Sequence, residues 1–229
     1  MDEAAIQLVI VVVFFGGALA MSALRVAKRR SKVTRTELAR RLLRNVERRR
    51  IADLRDGQAA VIRGRVRALP NVPLMIAPMR KMPVIGVNTR LIDSEEVEIL
   101  EAHACTDFEL VDETGSIRVE GAGADLSIRR VPFMPFDRNA IPPHWVPVCS
   151  TMLHLSGTEG VIVDGTEVVV LGMVNMQMQM GVGDYRDGAV QRVLRAPGSI
   201  PVTISSDPDT FDTSGKVYTV EQIMKGRGR

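Results

Sequence analysis

The chain has 229 residues, 45% of them hydrophobic and 25% charged, which leaves room for one ordinary domain plus an anchor and excludes disorder of the whole chain. A formal charge of +3 hides an uneven distribution, because arginine and lysine crowd between Arg25 and Arg67 while the later chain is mixed or acidic. Cys105 and Cys149 lie far apart with no CxxC or CxxH spacing; they give neither a zinc ligand set nor a disulfide framework, and fit buried thiols in a reducing compartment.

From Ile6 to Val26 the chain is nearly all apolar (IQLVIVVVFFGGALAMSALRV), and a run of about twenty such residues spans a bilayer as a helix. Ala18-Leu19-Ala20 has the small-x-small look of a signal-peptide cleavage site. Against cleavage, Asp2 and Glu3 precede the run, and Arg25, Lys28, Arg29, Arg30, Lys32 and Arg35 follow it. That asymmetry puts the N-terminus outside and the main domain in the cytoplasm, with those six basic residues as candidates for contact with the membrane surface. Residues 1–32 therefore read as a single-pass transmembrane anchor with a basic flank.

Thr34-Arg35-Thr36-Glu37 has the capping-box pattern, and Leu38, Leu42, Val46 and Leu54 follow at helical spacing. The spacing predicts a helix from about Arg35 to Leu54, inside a basic amphipathic linker over 33–55. Its arginines, among them Arg44, Arg48, Arg49 and Arg50, suit either anionic lipid headgroups or plain solvation. Without interleaved aromatics they do not suit nucleic acid.

Residues 56–206 read as a mainly β domain. Gln58 to Leu69 alternates as a long strand with Gly64 in its middle, where a small closed barrel needs a bend or bulge. A proline-broken connection containing Leu74-Met75-Ile76-Ala77-Pro78 leads to a strand over 84–91, and 94–104 alternates weakly as its antiparallel partner. Phe108 to Gly121 (FELVDETGSIRVEG) is a hairpin, two alternating runs joined at Asp112-Glu113-Thr114-Gly115. Five prolines between Pro132 and Pro147 make residues 128–152 an extended excursion. After the Asp164-Gly165 turn, strands follow over 166–180, 190–196 and 200–205, and 207–229 reads as a loosely held tail. Bent, glycine-containing strands of this kind point to a small OB-like antiparallel barrel behind the anchor and the basic helix, or to a sandwich.

GRVRAL at 64–69, Ile76-Ala77-Pro78, FELVDETGSIRVEGAGA from Phe108, DGTEVVVLGMV from Asp164 and IPVTIS at 200–205 together resemble the GIDE-type domain family, of the MULAN or MAPL kind. The resemblance covers about 56–205. In the ubiquitin ligases of that family the domain sits between two membrane helices, ahead of a RING finger. Here a second long apolar run and a cysteine-histidine array are both missing from the sequence, so the resemblance implies a prokaryotic-type member with a binding or scaffolding role, and no ligase activity.

Candidate chemistry is sparse. Met176, Met178 and Met180 share one strand face, which suits Cu(I) or an apolar sheet face. His103 and Cys105 share a face as a thiol with a base or as core residues. The acidic groups from Asp93 to Glu98 and at Asp112-Glu113 lack the spacing of a calcium loop. Trp145, the single tryptophan, either anchors a partner or pins the excursion to the barrel. The expectation is a membrane-anchored, non-enzymatic binding or scaffold protein with an unknown protein partner, with no catalytic residue, metal site or cofactor assigned. Alternatives are a membrane-tethered oligonucleotide-binding OB domain, a ubiquitin-ligase-family relative by homology alone, and a hydrolase with an unrecognised pocket.

Overall fold

The structure, a computed structural model, describes residues 42–131, 134–135, 145, 149, 155–178, 190–197 and 200–211. Its strands are β1 (Ala59–Ala68), β2 (Met75–Ile76), β3 (Pro83–Val84), β4 (Gly86–Ile92), β5 (Glu98–Cys105), β6 (Phe108–Asp112) and β7 (Gly115–Val119). They continue with β8 (Asp125–Ser127), β9 (Met134–Pro135), β10 (Ser156–Ile162), β11 (Glu167–Met178), β12 (Val190–Arg195) and β13 (Thr203–Ser205). Among the described residues helix is confined to short pieces, including a turn at 42–45 and the 3-10 turns Ile51–Asp53 and Pro208–Thr210.

Five strands close into a barrel. β1 is antiparallel to β6 and to β11, β6 to β7, and β11 to β12, while β12 runs parallel to β7. The alternation that predicts β1 decides its two faces: Ala60, Ile62 and Val66 point into the core, and Arg63, Arg65 and Arg67 point out. Gly64 sits on the inward face where β1 crosses close to β6. A methyl group there would lie 2.6 Å from the carbonyl oxygen of Val111, so the glycine permits the approach that closure needs. Outside, cross-strand ion pairs lace the barrel, Arg63 to Glu167 at 2.8 Å and Arg67 to Glu109 at 2.7 Å. β13 extends the sheet from β11 and carries β8 in parallel.

The two long connections of the barrel build a second sheet together. Residues 69–107, between β1 and β6, supply β4 and β5, and residues 120–166, between β7 and β11, supply β9 and β10. The order is β5-β4-β10-β9, with β10 antiparallel to β4 over seven residue pairs. Ile85, Cys105 and Ile162 of this region belong to the same buried cluster as Phe108 and Leu110 of the barrel. The core is therefore continuous from barrel to second sheet. Smaller clusters cover the far side of that sheet, one around Trp145 and one under β2 and β3.

The hairpin at 108–119 forms as predicted, and its turn explains its sequence. One carboxylate oxygen of Asp112 accepts from the N–H groups of Thr114 at 2.6 Å and Gly115 at 3.0 Å, and the other from the N–H of Ile51 at 2.8 Å. The helix expected over 35–54 is realised, within the described residues, only at 42–45. Beyond it the chain is drawn into the sheet: Arg48 bridges to Val61, and the N–H of Arg49 bonds the Val61 carbonyl at 2.9 Å. Tertiary pairing overrides the helical period there, although Leu42, Val46 and Leu54 are buried as that period requires. The anchor over 6–26 and the candidates Arg25, Lys28, Arg29, Arg30, Lys32 and Arg35 lie outside the described residues. Among the described residues no helix is long and apolar enough to cross a membrane.

Candidate binding cleft

Neighbouring positions across an antiparallel pair share a face, so the register of the second sheet brings Asn88 and Arg90 of β4 beside His103 and Glu101 of β5. This face lines a cleft of about 560 Å³, closed by Leu126, Ser127, Ile128 and Arg130 on one side and by Arg44, Asp207 and Thr210 on another. Its charges are largely paired. Arg90 meets Glu98 at 2.9 Å, and Arg130 donates to Asn88 Oδ1 at 3.1 Å and to Glu101. Asp207 accepts the N–H of Asp209 at 3.1 Å and caps the last 3-10 turn. Arg44 is exposed and has no carboxylate partner among the described residues. The cleft therefore sets the exposed guanidinium of Arg44 and the carboxylate of Asp207 beside two locked arginine–glutamate pairs, a polar surface of balanced charge on which Arg44 can meet a carboxylate or phosphate group of a partner.

Several other residues singled out by sequence have structural partners. Cys105 is buried, its thiol donates to the Thr106 carbonyl at 3.3 Å, and burial, with a contribution from Asp107, pushes it up to about 12. At neutral pH it is a protonated thiol and no nucleophile. His103 faces Asp125, with Nε2 3.9 Å from Oδ1. Asp93 caps its own turn, accepting from the N–H groups of Glu95 and Val97 at 2.8 and 2.9 Å. Met176 is exposed, while Met180 lies outside the described residues. Trp145 is 7% exposed and packed with Leu91, Cys149 and Leu155.

Within the basic linker Arg48 turns inward and its neighbours pair on the surface. Arg48 donates to the carbonyls of Val46, Leu43 and Thr210, and Arg49 and Arg50 pair with Glu47 and Asp53. Sequence reasoning missed Glu159, which is fully buried and accepts from the N–H groups of Met79 and Arg80, both at 3.0 Å, and from Thr89 Oγ1 at 3.2 Å. Nothing in its neighbourhood, Ser-Gly-Thr-Glu-Gly, marks a strand by period. In comparisons with known proteins, no family model and no curated protein matches the chain. The class defined by fold and cleft is a mainly β protein built on a closed five-strand barrel with an appended second sheet.

Proposed function

We propose that this chain is a membrane-anchored binding and scaffold protein, in which an OB-type barrel supports the polar cleft and presents it to a protein partner in the cytoplasm. Numbered within the barrel, the strands run 1-2-3-5-4 and back to 1 with one parallel pair, between the third and the fifth, and this order supports the OB type. The sequence resemblance is the support for a prokaryotic-type relationship to the GIDE-type family, and its segments lie on β1, at the end of β2, on the β6–β7 hairpin, on β11 and at β13. The apolar run at 6–26 supports the anchor.

The observation that carries the reading is the cleft, assembled from residues as distant as Arg44 and Thr210 and holding the exposed Arg44 and the carboxylate of Asp207 beside locked ion pairs. The oligonucleotide alternative fits less well. On β6 and β7, where OB domains stack bases, the outward residues include Glu109, Val111, Ser116 and Arg118, and Arg118 is held by Asp107 at 2.7 Å. Of the described aromatics, Phe108 and Trp145 are buried and Phe211 lies under Arg63, 5.1 Å from its ring centre.

The test is crosslinking capture from native membranes with the full chain and with Arg44→Glu, which changes an exposed residue and leaves the paired ones alone. The expected outcome is a defined set of proteins captured by the unmodified chain and lost with Arg44→Glu at unchanged melting temperature. Identical captures would remove the cleft from the proposal, and salt-sensitive recovery of nucleic acid would favour the oligonucleotide reading.

A further inference from the structure

The ribbon of β2 and β3 has two unlike sides. Met75 stands opposite Val84 and Ile76 opposite Pro83. Ala77 and Val84 are buried with Val87, and Met75 and Met82 pack against them, so one side is part of the fold. Leu74 and Ile76, two residues apart and hence on the other side, are 44% and 62% exposed. They are two of the four exposed large hydrophobic side chains among the described residues, and they are neighbours.

The exposure is held in place. The turn after β2 is closed by Ala77 N–H to the Met82 carbonyl at 3.0 Å and Lys81 N–H to the Ala77 carbonyl at 2.9 Å. Glu159 fixes the same turn from below through Met79 and Arg80. The turn carries Arg80 and Lys81, both exposed, and no acidic residue occurs anywhere from Leu69 to Ile92. Aliphatic side chains standing out beside cations, on a backbone stiffened by Pro73, Pro78 and Pro83, match the chemistry of an anionic lipid surface: apolar groups reach the acyl boundary and cations meet phosphate. A groove on a protein would match the aliphatic pair, whereas the two cations carried by the same turn are matched by lipid phosphates.

We infer that the β2–β3 ribbon is a membrane-contact element, with Leu74 and Ile76 entering the headgroup layer of an anionic bilayer and Arg80 and Lys81 lying among its phosphates. This rests on the membrane-anchored reading above and adds a second point of attachment, which would fix the orientation of the domain on the bilayer.

The test uses the full chain in vesicles of phosphatidylcholine, with or without phosphatidylglycerol. A nitroxide is placed at Ile76→Cys, with Glu113→Cys, in the β6–β7 turn, as the reference. Contact with oxygen, which concentrates in lipid, is compared with contact with a water-soluble nickel chelate. The expected result is a label at position 76 that gains oxygen contact and loses nickel contact when phosphatidylglycerol is present, while the label at 113 stays in water. Adding Arg80→Glu should reverse the shift at 76. A chain that floats with the vesicles but keeps the label at 76 in water in both compositions overturns this proposal alone. One that fails to float overturns the anchor as well. Loss of nickel contact without gain of oxygen contact marks a protein groove instead of lipid, and also overturns it.

Discussion

The buried carboxylate of Glu159 accepts the backbone N–H of Met79 at 3.0 Å, joining the middle of β10 to the turn that follows β2. Arg80 N–H and Thr89 Oγ1 complete its shell, so one side chain satisfies three donors from two other segments. Glu159→Ala strands those donors without acceptors, and each buried group left unpaired costs about 1–3 kcal/mol. A loss of at least about 3 kcal/mol is expected on urea unfolding, with Glu159→Gln, which keeps one acceptor oxygen, losing about half as much. Equal losses for the two variants would show that the hydrogen bonds are not the stabilising feature.

Asp112 makes folding depend on acid. Burial raises its carboxyl, but the Thr114 hydroxyl and the N–H groups of Ile51, Thr114 and Gly115 together outweigh burial and hold it below its ordinary 3.8. A depressed carboxyl stabilises the fold at pH values above its unfolded value, and that contribution disappears as pH falls through the lower folded value. Glu109 acts in the same direction, since burial raises it while Ser116 and Arg67 lower it further, below 4.5. Asp112→Asn should therefore destabilise the protein at neutral pH and flatten the fall in urea midpoint below about pH 4. A slope unchanged from the parent would remove Asp112 from the acid response.

Cys105 should be inert in the native protein. Burial and Asp107 push its thiol up to about 12, and burial also raises Cys149. Iodoacetamide at neutral pH is expected to leave both unmodified while the fold is intact and to modify both in urea. Rapid native alkylation of Cys105, read by peptide mass, would reopen the thiol-and-base reading of His103 and Cys105.

Trp145→Ala should register as a loss of stability. The indole is packed with Leu91, Cys149 and Leu155, and removing a buried tryptophan costs about 3–5 kcal/mol. Trp145→Phe, which refills most of the space, should recover most of the melting temperature. A variant that melts like the parent would mean that the side chain does not pack as described.

The barrel was legible where side chains alternate cleanly. Phe108 and Leu110 against Ile117 and Val119 announce a hairpin, and the runs around Gly64 and Gly172 announce long strands that pair with each other, Ala60 opposite Gly172. β10 was not legible, because it is buried on both faces and most of its buried positions are not apolar. Gly157 and Gly160 are there for close approach, a methyl group at either falling within 2.8 Å of a neighbouring side chain, and Glu159 is there for the turn it holds. The cleft was hidden for a different reason: Arg44, Arg90, Arg130 and Asp207 are far apart in sequence and meet only through the long-range pairing of the folded chain. A linear reading has no access to that pairing.

Because the second sheet draws β4 and β5 from one barrel connection and β10 from the next, its assembly has a direction in time. During synthesis the β4–β5 hairpin leaves the ribosome well before residues 156–162 exist, and until then the inner edge of β4 is an open template for foreign strands. Such non-local pairing is slow to form. Chains truncated before residue 156 should thus aggregate through this edge, and completion of β10 is the step that closes it.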